Sequence, residues 1–346
     1  MTNNHMAPTV QEVDDSAMGI TRQKYGKGYA YYAEDGTKIT DKATLKRLRK
    51  LVVPPMWSDV LICKFPDGHI QAVGRDAKGR KQYIYHPVYE KQRQQQKFKK
   101  LLAFVGFLPQ LRQRAHAHLN RSGWPKRKVL ALILLLLDEY GVRIGNREYR
   151  RRNGSYGLTT LRRKHLDVLD HELRFTFTGK SHKPQEVHID NEELVPFIKK
   201  AADLPGYEIF RYRNEKGQWE SVDSEEVNAY ILEVTGAGFS SKYFRTWAAN
   251  KLAVEVYPLA LEDQRNGSRK KFSNIVLKMV ASELGNTPTV CKEYYVHPHL
   301  FRAIDGQSVS QPNPFQDAAE PFGLDANERL AQEHIREGYG QAQWAV

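Results

Sequence analysis

Apolar residues recur in short alternating runs between residues 20 and 90, and at helical spacing beyond them. Residues 29–33, then Glu34-Asp35-Gly36, then residues 37–40 read as a hairpin with an Asp-Gly turn. Residues 44–51 predict a short basic helix, stopped by Pro54-Pro55. Residues 60–65 and 70–73 predict a second hairpin, and residues 81–86 a further strand. Residues 20–90 therefore read as a small β-rich domain, preceded over 1–19 by a polar, acidic and flexible lead.

Past Pro87 the period lengthens toward that of a helix. Helices are expected at 89–102, 109–119, 125–140, 192–202, 224–234, 242–256 and 270–284. Pro125 suits a first helical turn and Gly141 a helix end. The unbroken apolar run 129–137 is too short to span a bilayer and predicts a helix buried on most sides. Residues 166–178 and 186–189 predict a small sheet, with turns at 170–172 and 179–184. Residues 91–303 thus form a larger, mainly helical domain with one small sheet, and the fold class is α+β. Residues 304–346 are polar and read as a peripheral tail, with 327–337 a candidate helix.

Composition narrows the partner. Lys and Arg number 53 against 40 Asp and Glu, a net charge of +13 with a pI near 9.5. Such an excess suits a polyanion, because neutralising phosphates releases counterions. Cys63 and Cys291 make no disulfide framework, and neither has partners at metal-ligand spacing. A reducing cytosol fits, as does a start without the plan of a signal peptide. No Walker-type phosphate loop is present.

Two phrases face a nucleic acid well. Residues 74–86 place Arg80, Lys81 and Gln82 beside Tyr83 and Tyr85, which share one face of a strand. Such groups suit groove reading or backbone tracking; a tyrosine packed in the core with solvated cations fits the same pattern. Residues 143–164 hold eight basic residues, among them Arg162 and Lys164, and one acid, Glu148. A run this dense faces solvent or phosphate.

Four side chains carry candidate chemistry: Arg143 in Val-Arg-Ile-Gly-Asn, Lys180 in Phe-Thr-Gly-Lys, Arg245 in Lys-Tyr-Phe-Arg-Thr-Trp, and Tyr295 before Val-His-Pro. Cleaving a phosphodiester by transesterification needs a nucleophile, cations on the non-bridging oxygens and an acid for the leaving alkoxide. An arginine fork matches two phosphate oxygens. Singly each residue has an ordinary reading: a helix-end cation, a solvated hairpin tip, a surface ion pair, a packing tyrosine.

Together, and in this order, these phrases resemble the bacterial type IB DNA topoisomerases, the group similar to the poxvirus enzyme. The resemblance spans roughly residues 20–300 and includes Gly-Arg-Lys-Gln-Tyr-Ile-Tyr, Gly-Leu-Thr-Thr-Leu-Arg-Arg-Lys-His and Asn-Thr-Pro. It implies that Tyr295 becomes esterified to a 3′ phosphate, that Arg143 and Arg245 clamp that phosphate, and that Lys180 protonates the 5′ oxygen. Asn286 stands where the family often has histidine, and offers a hydrogen bond without a charge. Gln82, Tyr83, Tyr85, Arg80, Lys81, Arg162, Lys164 and Lys242 are expected DNA contacts. The implied protein is a monomeric C-shaped clamp that relaxes duplex DNA at the nucleoid, without ATP, metal, cofactor or membrane. The rivals are a tyrosine recombinase, which usually carries His-x-x-Arg where this chain has Lys242-Tyr-Phe-Arg245, and a DNA-binding protein without the chemistry. Tyr294 competes with Tyr295; neighbours on a helix point about 100° apart, so only one can attack.

Overall fold

The computed structural model describes residues 10–170, 172–310 and 321–339. The chain divides into two compact units, residues 1–99 and 100–346.

In the first unit, β1 (Ile20–Tyr25), β2 (Gly28–Tyr32), β3 (Ser58–Ile62), β4 (Ile70–Arg75) and β5 (Lys81–Tyr85) form an antiparallel sheet in the order β2-β1-β3-β4-β5. Helix α1 (Lys42–Lys50), capped by the Asp41 carboxylate on the Thr44 N–H at 2.7 Å, packs Leu48 against Ile20, Tyr31, Val60, Ile62 and Ala72. The expected hairpin of residues 29–33 with 37–40 is present as a short pairing: the Ala33 N–H donates to the Thr37 carbonyl and the Ile39 N–H to the Tyr31 carbonyl, each at 2.9 Å, around the antiparallel bridge between Tyr32 and Lys38. The unexpected strand is β1, which pairs with the other edge of β2 and, on its own far edge, with β3. Its sequence, Ile-Thr-Arg-Gln-Lys-Tyr, buries only Ile20, so no apolar alternation announces it. What holds it is backbone pairing on both sides.

Helix α2 (Pro87–Gly106) crosses the division between the units. In the second unit, α3 (Leu108–Leu119) leads to α4 (Lys126–Tyr140), which buries every residue from 129 to 137. After α5 (Arg147–Asn153), the strands β6 (Leu166–Val168), β7 (Leu173–Thr178) and β8 (Pro184–Ile189) form an antiparallel sheet in chain order. Then come α6 (Val195–Asp203), a hairpin of β9 (Arg211–Arg213) and β10 (Trp219–Ser221), α7 (Ser224–Thr235), α8 (Lys242–Glu255), α9 (Tyr257–Arg265) and α10 (Phe272–Glu283). The turn α11 (Pro288–Val290), α12 (Pro298–Asp305) and α13 (Ala326–Glu337) complete the described chain. The architecture is helical with small antiparallel sheets, which agrees with an α+β class. No helix among the described residues is long and apolar enough to cross a membrane.

Helices α3, α7 and α8 pack on α4. Gly141 ends α4 with φ of 57°, and a Cβ there would lie 2.8 Å from the Ala248 Cβ of α8. Its lack of a side chain thus serves both the left-handed helix end and the close approach of the two helices.

Beyond residue 303 the expectation of a peripheral tail fails for α13. Ala331, Ile335 and Glu328 on this helix are buried. Glu328 accepts hydrogen bonds from Arg112 Nη2 at 2.7 Å and Trp247 Nε1 at 2.9 Å. A polar composition hid the burial of this helix, because much of its anchoring is ionic.

Candidate active site

Arg245 lies on the buried face of α8 and is only 7% exposed. Its Nη1 donates to the Gly141 carbonyl at 2.7 Å, and its Nη2 to the Leu284 carbonyl. It therefore joins the ends of α4 and α10. Arg143 follows Gly141 by two residues, on a segment held by the N–H groups of Leu158 and Thr159 on the carbonyls of Arg143 and Ile144, at 2.9 and 2.8 Å. Gly157 permits this contact, since a Cβ there would sit 2.5 Å from the Arg143 carbonyl oxygen. Arg143 Nη2 donates to Asn286 Oδ1 at 2.5 Å and Nη1 to Gln185 Oε1 at 3.3 Å.

Two partly or wholly buried guanidiniums thus sit together, and neither pairs with a carboxylate among the described residues. Burial lowers Arg143 below its ordinary value, with Tyr295 and Cys291 acting against it. Burial lowers Arg245 further, to about 10, and the positive charge of Arg143 adds to the effect. Both remain charged at neutral pH. Adjacent like charges without a counter-acid are costly unless an anion completes them. The Arg245 Nε and Asn286 Nδ2 atoms are buried without a hydrogen-bond partner, so two donors remain for such an anion.

Tyr295 ends a wide turn, Cys291–Tyr295, closed by the Val296 N–H on the Cys291 carbonyl at 2.8 Å. Its ring centroid lies 5.8 Å from the Arg245 guanidinium carbon. Asn250, fully buried on α8, donates to the Tyr295 carbonyl at 3.0 Å and accepts from the His297 N–H at 2.8 Å. Sequence reasoning missed Asn250; its one signal is a polar residue among the apolar positions Trp247, Ala248, Ala249, Ala253 and Val254. Tyr294, the competing residue, is 55% exposed, whereas Tyr295 is half-buried beside the arginines.

Arg143, Arg245, Asn286 and Tyr295 are therefore brought together, and Lys180 stands apart. It is exposed at the tip between β7 and β8, and makes no hydrogen bond or ion pair with the other four among the described residues. The next two residues, Ser181 and His182, adopt φ of 62° and 58°. Gly179, just before Lys180, lines a cavity of about 400 Å³ together with Arg143, Arg245, Gln185 and Gly285.

The expected DNA contacts form separate groups. Tyr83 and Tyr85 share a face of β5 and stack at 5.9 Å, with Lys81 over Tyr83 at 5.4 Å. Arg80 pairs with Asp76 at 2.7 Å, and Gln82 donates to the same carboxylate at 3.0 Å. Arg80 is the main cause holding Asp76 down at about 2. Lys164 and Lys242 are exposed, and Arg162 is partly buried. Within the basic run, Arg150 pairs with Glu208 and Arg152 with Glu148, so not every cation there is available to a polyanion.

The model of the catalytic core of eukaryotic DNA topoisomerase I matches residues 79–311, and that of the N-terminal domain of bacterial DNA topoisomerase IB matches residues 28–76. DNA topoisomerase 1B of Acanthamoeba polyphaga mimivirus is 32% identical over 285 residues, 80% of this chain and 85% of that protein. DNA topoisomerase 1B of Vaccinia virus (strain Copenhagen) is 25% identical over 267 residues, 76% of this chain and 80% of that one. DNA topoisomerase 1 of Rabbit fibroma virus (strain Kasza) is 22% identical over 289 residues, 77% and 87% of the two chains.

Proposed function

The chain belongs to the type IB DNA topoisomerases and acts as a DNA topoisomerase, and we propose that it cuts one strand by attack of the Tyr295 hydroxyl on a backbone phosphate. The observation that carries this reading is the pair of guanidiniums beside Tyr295, without a carboxylate partner and with unpartnered donors at Arg245 Nε and Asn286 Nδ2.

In the proposed step the Tyr295 oxygen forms a bond to phosphorus and gives up its proton to solvent water. The bond from phosphorus to the 5′ oxygen breaks. The product is a 3′-phosphotyrosine and a free 5′ hydroxyl. Arg143, Arg245 and Asn286 hold the non-bridging oxygens, where charge develops. Lys180 supplies the proton of the leaving oxygen, brought to the phosphate when DNA engages the exposed hairpin tip. The ester conserves the energy of the broken bond, so the 5′ hydroxyl reverses the step after the strand has swivelled. No ATP or metal ion enters this scheme.

The substrate is duplex DNA, and the DNA-containing compartment of a bacterial cell, at the nucleoid, is the proposed place of action. A monomer working as a C-shaped clamp belongs to the same proposal, with Tyr83, Tyr85, Gln82, Arg80, Lys81, Arg162, Lys164 and Lys242 as DNA contacts. Support for these contacts is the cationic and aromatic chemistry of the residues and, for Lys81, Tyr83, Lys164 and Lys242, their exposure.

The test is relaxation of supercoiled plasmid in EDTA without ATP, with denaturant trapping of the covalent adduct. Wild type and Tyr294→Phe relax the plasmid and form adduct; Tyr295→Phe does neither. Loss in Tyr294→Phe alone transfers the nucleophile to that residue. Binding without relaxation by all three rejects the enzyme.

A further inference from the structure

Gln185 lies in β8, paired across the hairpin with Phe177 of β7. Its side chain reaches across three parts of the site. Its Oε1 accepts from Arg143 Nη1 at 3.3 Å, and its Nε2 donates to the Pro184 carbonyl at 2.7 Å, which fixes the amide's orientation. Two glycines flank it closely. A Cβ at Gly179 would lie 2.5 Å from Gln185 Cγ, and one at Gly285 would lie 2.0 Å from Gln185 Oε1. Gly179 immediately precedes Lys180, and Gly285 immediately precedes Asn286. One side chain thus fills the slot between the lysine hairpin and the turn bearing Asn286, and touches the arginine between them.

We infer that Gln185 is a positioning residue for strand cleavage, holding Arg143 through a neutral acceptor while keying the Lys180 hairpin against the Asn286 turn. The inference rests on the proposed role of Arg143 at the phosphate. Both acceptors on Arg143, Gln185 Oε1 and Asn286 Oδ1, are amide oxygens. An amide aims the guanidinium and leaves its charge intact for the phosphate. A carboxylate at the same place aims it equally well but cancels that charge. The choice of Gln over Glu at position 185 is therefore electrostatic.

The experiment is single-turnover cleavage of a duplex oligonucleotide at saturating enzyme. It compares wild type, Gln185→Ala, Gln185→Glu, Arg143→Ala and the double variant Gln185→Ala/Arg143→Ala, with DNA affinity and Tm measured in parallel. Loss of a hydrogen bond to a charged group predicts a cleavage rate about 10-fold lower for Gln185→Ala, at near-wild-type affinity. Gln185→Glu is nearly isosteric and gains an ion pair, so its Tm is kept or raised. Its cleavage rate nevertheless falls by about 100-fold, the scale of one lost oxyanion donor. In the Arg143→Ala background, Gln185→Ala has little further effect, because its partner is gone.

A merely structural Gln185 gives a mild Glu variant and additive losses in the double variant. Either result overturns the inference while leaving the proposed role of Arg143 in place. Wild-type cleavage by Arg143→Ala overturns that role, and the inference with it.

Discussion

Removing the charge of Arg112 tests how α13 is tied to the catalytic unit. Arg112 Nε donates to Asp138 at 2.6 Å, and its two Nη atoms donate to Glu328 at 3.0 and 2.7 Å. The Asp138 and Glu328 side chains are 7% and 1% exposed. Burial pushes the Asp138 carboxyl up, and Arg112 offsets part of that. At Glu328 burial also acts upward, but Arg112, Lys251 and Trp247 outweigh it and hold the carboxyl down. Arg112→Met keeps much of the volume and leaves two buried carboxylates sharing the nearby Lys251. Breaking a buried pair in this way costs about 3–5 kcal/mol. For a unit spanning residues 100–346, each kcal/mol lowers Tm by about 2 °C, so the expected drop is about 6–10 °C. Scanning calorimetry at pH 7 reads it, with Arg112→Lys as a milder control that keeps the charge. The uncompensated carboxyls have folded-state pKa values above their unfolded ones. Their penalty is full at high pH and fades as pH falls, so the gap to wild type narrows at pH 5. A drop below 2 °C at pH 7, or a gap that widens at pH 5, refutes the reasoning.

Other outcomes are equally concrete. Asn286→Ala removes a neutral donor and slows single-turnover cleavage roughly 10-fold, while Arg245→Ala slows it by roughly 100-fold or more; equal losses would show that Asn286 does more than donate one hydrogen bond. Burial, helped by Lys164 and Arg162, lowers His165 to about 4, and burial, helped by His299 and Arg302, lowers His297 to about 3. The unfolded chain takes up these protons near 6.5 and the folded one does not. Their stabilisation is thus complete above that pH and declines as pH falls toward 4, by at most about 2 kcal/mol each at pH 5. Urea unfolding at pH 7 and pH 5 measures this, and His297→Gln should flatten the dependence. If phosphate contacts dominate DNA binding, affinity falls roughly 1,000-fold or more between about 50 and 200 mM salt; an affinity indifferent to salt in a filter or anisotropy assay removes the phosphate clamp from the picture.

Much of the fold was legible because its signals are local. The apolar run 129–137 announced α4, Gly141 its end, and Asp-Gly or Pro-rich punctuation the changes of direction. β1 was illegible because five of its six residues leave their side chains at least partly in solvent and its stability comes from pairing on both edges. The helix of α13 was expected at 327–337, but its place in the core was not. An Arg-Glu contact across 216 residues of chain leaves no local pattern.

The site divides in the same way. The chain by itself determined which chemistry was available: two arginines, a lysine, an asparagine and a tyrosine in phrases of one family, in one order, on a strongly basic protein. Residue type and spacing carry that much, because a side chain's chemistry travels with it. Only the tertiary structure decided which groups meet. It turned Tyr295 rather than Tyr294 toward Arg245, set Asn250 behind the Tyr295 backbone, and seated Gln185 on Arg143. It also left Lys180 exposed on its hairpin. These placements depend on helix ends and turns far apart in the chain, joined at Gly141, Gly157, Gly179 and Gly285 where no side chain intervenes. Contacts of that kind arise from packing, and nothing in the neighbouring sequence specifies them.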